Sequence, residues 1–231
     1  MKPARMKQLP LLLGPGPAQS FDSFILGGNA AAVAALRAEP GPATCYVWGP
    51  VGSGKSHLLR ACARAAQAAG RRASAFDATE PLPWAWDDDC RLLLLDACEA
   101  YDAARQHAAF TLFVEAATSG VPVVAAGRLP PVDLPLREDL RTRLAGGPVF
   151  QLAPLSEAEA RGALQREAGR RGIELADEVV DYVLTRFARD LGSLMALLEA
   201  LDEFSLAEQR AVTVPLLRQM LARPPIREQA S

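Results

Sequence analysis

Gly49-Pro50-Val51-Gly52-Ser53-Gly54-Lys55-Ser56 meets the pattern G-x-x-x-x-G-K-[ST] at every fixed position. Its residue types are those a phosphate-binding loop needs. Glycines let the backbone curl so that successive N–H groups point inward at phosphate oxygens. Lys55 supplies a compact positive charge for the β- and γ-phosphates, and the Ser56 hydroxyl is a ligand for Mg²⁺. The flanks agree with this reading. Thr44-Cys45-Tyr46-Val47-Trp48 is β-branched and aromatic, a predicted strand, and His57 to Ala69 carries Ala and Leu at helical spacing. The chain has three lysines, two of them, Lys2 and Lys7, near its start, so the rest of the folded body relies on arginine. A planar guanidinium does not replace a compact ammonium at this position. The stretch therefore implies a strand–loop–helix unit that binds a nucleoside di- or triphosphate.

Outward from the loop, further strands are predicted at Arg72–Phe76, at Leu92–Leu95 ending in Asp96, at Val121–Ala126 with Pro122 confined to its start, and at Val149–Leu152. Helices are predicted from an Asn29 N-cap to Ala38, over 100–119 with Gly120 as a stop, and over a short basic stretch at 137–145. Alternating strands and helices imply a parallel sheet covered on both faces. Residues 77–90, with Pro81, Pro83, Trp84, Trp86 and Asp87-Asp88-Asp89, read as a connection. The tryptophans are expected to pack the loop, since no basic residues interleave with them as a base-stacking platform requires, and the acidic run is expected to be solvated. After Pro154 the pattern changes. Ser156-Glu157-Ala158-Glu159 is a capping box, and helical periodicity continues to Leu221 with breaks expected at Gly172 and around Arg189 and Ser205. This gives a flexible tail over 1–20, a nucleotide-binding α/β domain over 21–154, an all-α domain of three or four helices over 155–222 and a C-terminal tail over 223–231.

Composition narrows the classes. Half of the 231 residues are apolar and the net charge is −2, which offers no general electrostatic reason to bind DNA. No apolar run approaches the ~20 residues of a membrane span, and Leu11-Leu12-Leu13 is too short for a signal sequence. Cys45, Cys62, Cys90 and Cys98 show no C-x-x-C spacing, and with only His57 and His107 beside them a zinc site is not expected. They read as reduced, mostly buried thiols of a cytoplasmic protein. His57 is expected to pack against the helix after the loop.

An acid ending an apolar strand sits at the carboxyl edge of the sheet, where ligands bind in open α/β folds, so Asp96 is expected to join Ser56 in holding Mg²⁺. Ala97 follows, where many P-loop hydrolases place a second acid to orient water. Glu99 is expected to point elsewhere on a continuing strand. Binding without efficient hydrolysis is the expectation. Arg141 and Arg143, in Leu140-Arg141-Thr142-Arg143-Leu144, form either a solvated helix face or a finger that reaches a phosphate on a neighbouring subunit.

Several segments together carry a family resemblance. Phe21-Asp22-Ser23-Phe24 followed by Gly28-Asn29 resembles the entry to the AAA+ core of the replication initiator DnaA and its relatives, and Gly54-Lys55-Ser56-His57-Leu58-Leu59 resembles its extended P-loop. Gly127-Arg128-Leu129-Pro130-Pro131 is similar to its sensor-1 region, the Arg143 segment to its arginine-finger box, and Phe150 to Ser156 to the junction with its lid. The resemblance covers about residues 20–222 and implies a P-loop AAA+ parallel sheet covered by helices, followed by an all-α lid. Gln8-Leu9-Pro10-Leu11-Leu12-Leu13 is similar to the Q-L-x-L-x-L peptide that docks on the DNA polymerase sliding clamp. There Gln8 would enter a polar subsite and Leu9, Leu11, Leu12 and Leu13 an apolar cleft; the alternative is a leucine-rich tail packed on its own core.

A DnaA-like core with this tail, no basic helix-turn-helix module after the lid and no helicase-recruiting domain resembles the DnaA-related regulatory inactivators of the Hda family. The resemblance implies a protein holding ADP or ATP with Mg²⁺, tethered to the clamp β subunit and so to DNA only indirectly. It would offer Arg143 to the γ-phosphate on DnaA and prevent re-initiation, with weak or no ATPase of its own; self-association stays open. Two positions depart from the family pattern. Arg128 is the polar residue where sensor 1 usually carries Ser, Thr, Asn or Asp, and Gly192 stands where a sensor-2 arginine is common, with Arg189 one turn earlier. A stand-alone AAA+ ATPase such as a helicase loader is the alternative, and it would need the second acid and a sensor. A nucleotide-binding structural relative without regulatory activity is a third reading. Whether Arg141 or Arg143 makes the decisive contact is left open.

Overall fold

Five parallel strands in the order β2-β3-β4-β1-β5 organise the first part of the chain. They are β1 (Thr44–Trp48), β2 (Arg72–Phe76), β3 (Cys90–Leu95), β4 (Val123–Gly127) and β5 (Val149–Gln151). The computed structural model describes residues 19–39, 41–187 and 191–222. The Gln8–Leu13 peptide, Arg189 and residues 223–231 lie outside them. Parallel neighbours require crossovers, and these are helices α2 (Lys55–Ala68) between β1 and β2, α3 (Ala103–Thr118) between β3 and β4, and α4 (Glu138–Leu144) between β4 and β5. A first helix, α1 (Ala30–Arg37), precedes the sheet.

The period-two alternation of strand side chains divides the core into two. Tyr46, Leu93, Leu95, Val123 and Ala125 face one side, where Leu112, Phe113 and Ala116 of α3 and Leu140 and Leu144 of α4 cover them. Cys45, Val47, Leu92, Leu94, Val124 and Ala126 face the other, under Ala32 and Val33 of α1 and Leu58, Leu59 and Cys62 of α2. Each fully buried leucine contributes about 1.5–3 kcal/mol relative to exposure, more than a typical helix cap at ~1 kcal/mol. Burial on both faces thus fixes the strands whose carboxyl ends carry the loops.

The chain divides between Pro154 and Leu155 into two compact units. The second unit has four helices among the described residues, α5 (Glu157–Arg170), α6 (Asp177–Arg186), α7 (Leu191–Glu208) and α8 (Val214–Ala222). Its core comes from Ala160, Ala163 and Leu164, from Val179, Val180, Val183 and Leu184, and from Leu194, Leu197, Leu198, Leu201, Leu216 and Leu217. The capping box forms as expected, with Ser156 accepting from the Glu159 N–H and the Glu159 carboxylate accepting from the Ser156 N–H. No helix of the described residues is long and apolar enough to cross a membrane.

Three local expectations need correction and a fourth is sharpened. Asn29 makes no cap bond to α1; its buried amide instead donates to the Ala153 carbonyl at 3.0 Å and accepts from the Ala153 N–H at 2.9 Å. A 3-10 turn at Gly27–Asn29 already leads into that helix, so the side chain is released for this tie. The break expected around Ser205 comes at Gln209, in the left-handed region at φ 51°. Ser205 stays helical and closes the end of α7 by donating to the Arg210 carbonyl at 2.5 Å. Asp87 is not merely solvated, since its carboxylate pairs with Arg72 Nε at 2.6 Å. The chain also leaves β3 at Leu95 rather than continuing extended, which moves Glu99. The four cysteines are free and buried, as the sequence implied, and burial pushes the Cys45 thiol up to about 11 and Cys62 and Cys98 up to about 12. Trp84 is buried between Phe76 and Tyr101, with ring centroids 5.2 and 5.3 Å away, which makes it a packing residue of its loop.

Candidate functional site

The phosphate-loop residues Gly49, Pro50, Val51, Gly52, Ser53 and Gly54 form the turn between β1 and α2, and Lys55 and Ser56 open the helix. The loop ends in a left-handed residue, Gly54 at φ 92°, against which the Phe24 ring packs so closely that a Cβ would lie 2.6 Å from Cε2. Glycine is therefore required there twice, for backbone and for space. The helix N-terminus that follows presents unpaired N–H groups and positive dipole, an arrangement suited to phosphate. Lys55 Nζ donates to the carbonyls of Gly49 at 2.7 Å and Pro50 at 2.8 Å. Burial lowers its pKa from the ordinary lysine value, while the nearby acids Glu99 and Asp96 oppose the shift and Arg128 adds to it. His57, on α2, packs edge-on against Phe24 with centroids 5.4 Å apart, and its Nε2 lies 2.8 Å from the Ser20 carbonyl.

Ser56 and Asp96 line one pocket of about 250 Å³, shared with Arg60, Asp77 and Glu80. Asp96 is fixed at the strand end by its own N–H to the Phe76 carbonyl at 2.9 Å, and one carboxylate oxygen accepts from the Ala97 N–H at 2.8 Å. A hydroxyl and a carboxylate are hard oxygen donors of the kind Mg²⁺ prefers.

The two finger candidates are held differently. Arg141 donates from Nη1 to the Val132 carbonyl at 3.1 Å. The Arg143 guanidinium instead lies over Phe110, its central carbon 4.8 Å from the ring centroid. Arg137 covers the same ring at 5.5 Å but also pairs with Asp139 at 2.5 Å. Among the described residues Arg143 has no carboxylate partner, so its charge is oriented by an aromatic face rather than neutralised. Phe110 was not singled out from sequence, although a signal exists. Ala109, Leu112, Phe113 and Ala116 form the buried stripe of α3, and a large aromatic one residue off that stripe needs another reason to be there.

Glu99 was named from sequence, but its place was not, because the strand does not continue. A turn of chain after Asp96 brings its carboxylate to Arg128 at the end of β4, with Oε1 2.9 Å from Nε. The other sequence-named positions are less connected. Ala97 brings no acid, and Gly192 is an exposed residue in the first turn of α7.

Residues 157–221 match the family described as Hda, lid domain. The helical unit is thus similar to an Hda lid domain. Similar solved structures include domain III of Thermotoga maritima DnaA, at 20% identity and a TM-score of 0.71 over 90% of this chain and 97% of that one. DnaA from Aquifex aeolicus bound to AMPPCP is similar at 21% identity and a TM-score of 0.65, covering 83% of this chain and 67% of that one. A Thermotoga maritima RuvB variant, R170A, shares the fold at 16% identity and a TM-score of 0.64, over 89% and 72% of the two chains. The expected fold class, a helix-flanked parallel AAA+ sheet followed by a helical lid, is thus found.

Proposed function

We propose that this AAA+ protein regulates chromosome replication by stimulating, in trans, hydrolysis of the ATP bound to the initiator DnaA. The observation that carries this reading is the Hda lid match over residues 157–221, following a core with the DnaA domain III fold. Nucleotide binding by the chain itself is supported by the geometry of Gly49–Ser56 and by the AMPPCP bound to the similar Aquifex aeolicus DnaA. In this reading the loop N–H groups and Lys55 hold the phosphates of ADP or ATP. Ser56 and Asp96 would hold Mg²⁺, which would supply charge neutralisation to the phosphates. Ala97 offers no carboxylate to orient a water, so the chain's own turnover is slow and its nucleotide acts as a structural ligand.

The active group toward the partner is Arg143. An arginine presented to another subunit's γ-phosphate stabilises charge developing in the transition state, which accelerates hydrolysis by ~10³–10⁵ in systems of this kind. Arg143 suits the role better than Arg141, whose guanidinium is engaged by the Val132 carbonyl. Recruitment falls to Gln8, Leu9, Leu11, Leu12 and Leu13, proposed to dock on the sliding clamp and so bring the chain to DNA indirectly.

The test is release of phosphate from DnaA-bound ATP in the presence of clamp loaded on DNA. Wild type accelerates turnover, while Arg143→Ala and a Gln8→Ala/Leu11→Ala variant fail although both fold and bind ADP. Stimulation that survives both changes overturns the site assignments. No stimulation, with steady ATPase activity by the protein alone, moves the chain to the motor or helicase-loader class.

A further inference from the structure

The face of the sheet under α1 and α2 is not filled evenly. Val47 and Leu58, toward the phosphate loop, are fully covered. At the other end of β1 and α2 a cavity of about 590 Å³ opens, lined by residues of both helices. Its floor is apolar, made by Cys45, Leu92 and Val124 near the starts of β1, β3 and β4 and by Cys62 of α2. Ala65 and Ala69, both short and exposed, form the wall on the α2 side, so no side chain there fills the space. Protein interiors hold few voids larger than a water molecule. This one has room for about twenty water-sized groups at ~30 Å³ each, the size of a small-molecule pocket.

Five charged side chains rim the cavity. Arg37 pairs with Asp22 at 2.7 Å, and Arg71 pairs with Glu39. Arg64 is the fifth. It is exposed on α2 beside Ala65, and among the described residues it has neither a carboxylate nor a hydrogen-bond partner. One uncompensated positive charge therefore stands beside an apolar hollow. A neutral apolar ligand would leave that guanidinium unused, and a dianion would exceed it.

We propose that this cavity binds a small monoanionic amphiphile, an apolar chain of about eight to ten carbons ending in one carboxylate. The chain lies on Cys45, Cys62, Leu92 and Val124, where each CH₂ removed from water adds to affinity. The carboxylate meets Arg64, whose planar fork matches its two oxygens.

Calorimetric titration of the full chain with octanoate, below its micellar concentration, tests this. Wild type is expected to bind octanoate with a Kd below about 1 mM. Octanol, with the same chain and no charge, binds at least about fivefold more weakly. Arg64→Ala weakens octanoate about fivefold and leaves octanol within about twofold, and Arg64→Lys keeps octanoate within about threefold of wild type. Ala65→Phe, which puts a ring into the cavity, abolishes binding of both. Thermal melts followed by circular dichroism show whether each variant is folded. Octanoate binding that survives Arg64→Ala and Ala65→Phe unchanged, in variants that melt as cooperatively as wild type, overturns the inference, and so does equal binding of octanol. Failure of wild type to bind octanoate also overturns it; if a Leu11→Ser/Leu12→Ser variant then does bind, the occupant is the chain's own leucine run. Retention on phosphatidylglycerol vesicles that persists in Ala65→Phe assigns the recognition to a membrane surface instead and overturns the cavity.

Discussion

The end of β4 and the helix α4 each present an arginine, and the molecule treats the two charges in opposite ways. Arg128 is tied to a carboxylate of its own chain, side chain and main chain together. Arg143 rests on the face of Phe110 and spends none of its hydrogen-bonding capacity on a carboxylate among the described residues. An ion pair cancels the field a neighbour would feel, whereas an aromatic face orients a guanidinium and leaves its charge outward. The difference separates a charge cancelled within its own chain from one that, under the function proposed above, is left available to a partner.

The sharpest way to break that contrast is to exchange the roles. Arg143→Ala is expected to lower stimulation of DnaA-bound ATP hydrolysis by about 10³-fold while leaving the chain's own ADP affinity unchanged. Equal loss in both assays would erase the distinction. Phe110→Leu removes the ring but keeps the bulk, and the stimulation rate at saturating partner should fall about two- to fivefold, the size of an exposed cation–π contact. Arg128→Ala removes a charge already paired with Glu99 and should keep trans stimulation within about twofold at saturating ADP. Arg141→Ala should change that rate by less than about twofold.

The smallest expected effect concerns the helix that carries Phe110. Asp102 caps α3 by accepting the Arg105 N–H at 2.9 Å, and this bond, together with the Arg105 charge, holds its carboxyl below the ordinary value of 3.8. A depressed carboxyl contributes stability that is full above 3.8 and is lost as pH falls through the lower folded value. Asp102→Ala should therefore lower Tm by about 2 °C at pH 7. That gap should close in melts recorded well below pH 3.8; a gap that widens on acidification would contradict the assignment.

What the sequence disclosed follows physical lines. The loop Gly49–Ser56 was legible because each residue type has one chemical task there, and the strands because apolar runs end at Gly, Pro or an acid. Asp96 was placed by the same logic at a strand end. The place of Glu99 was not legible, since it depends on an alanine in a left-handed conformation, for which no residue type at 97 gives warning. Asn29 carried a cap signature that tertiary structure overrode, because Ala153 offered its amide a donor and an acceptor together. Ser205 marked the break only approximately, for a related reason. A serine in a helical run signals a break by competing for backbone groups, yet here its hydroxyl serves the helix end five residues later.

The scarcity of lysine gives the phosphate loop a practical handle. Lys55 is the only primary amine among the described residues, and it sits half-sheltered on the Gly49 and Pro50 carbonyls. An amine-acylating reagent followed by mass spectrometry therefore footprints one position in that entire region. Occupancy of the site can be read as protection of a single peptide, without engineering a reporter into the chain.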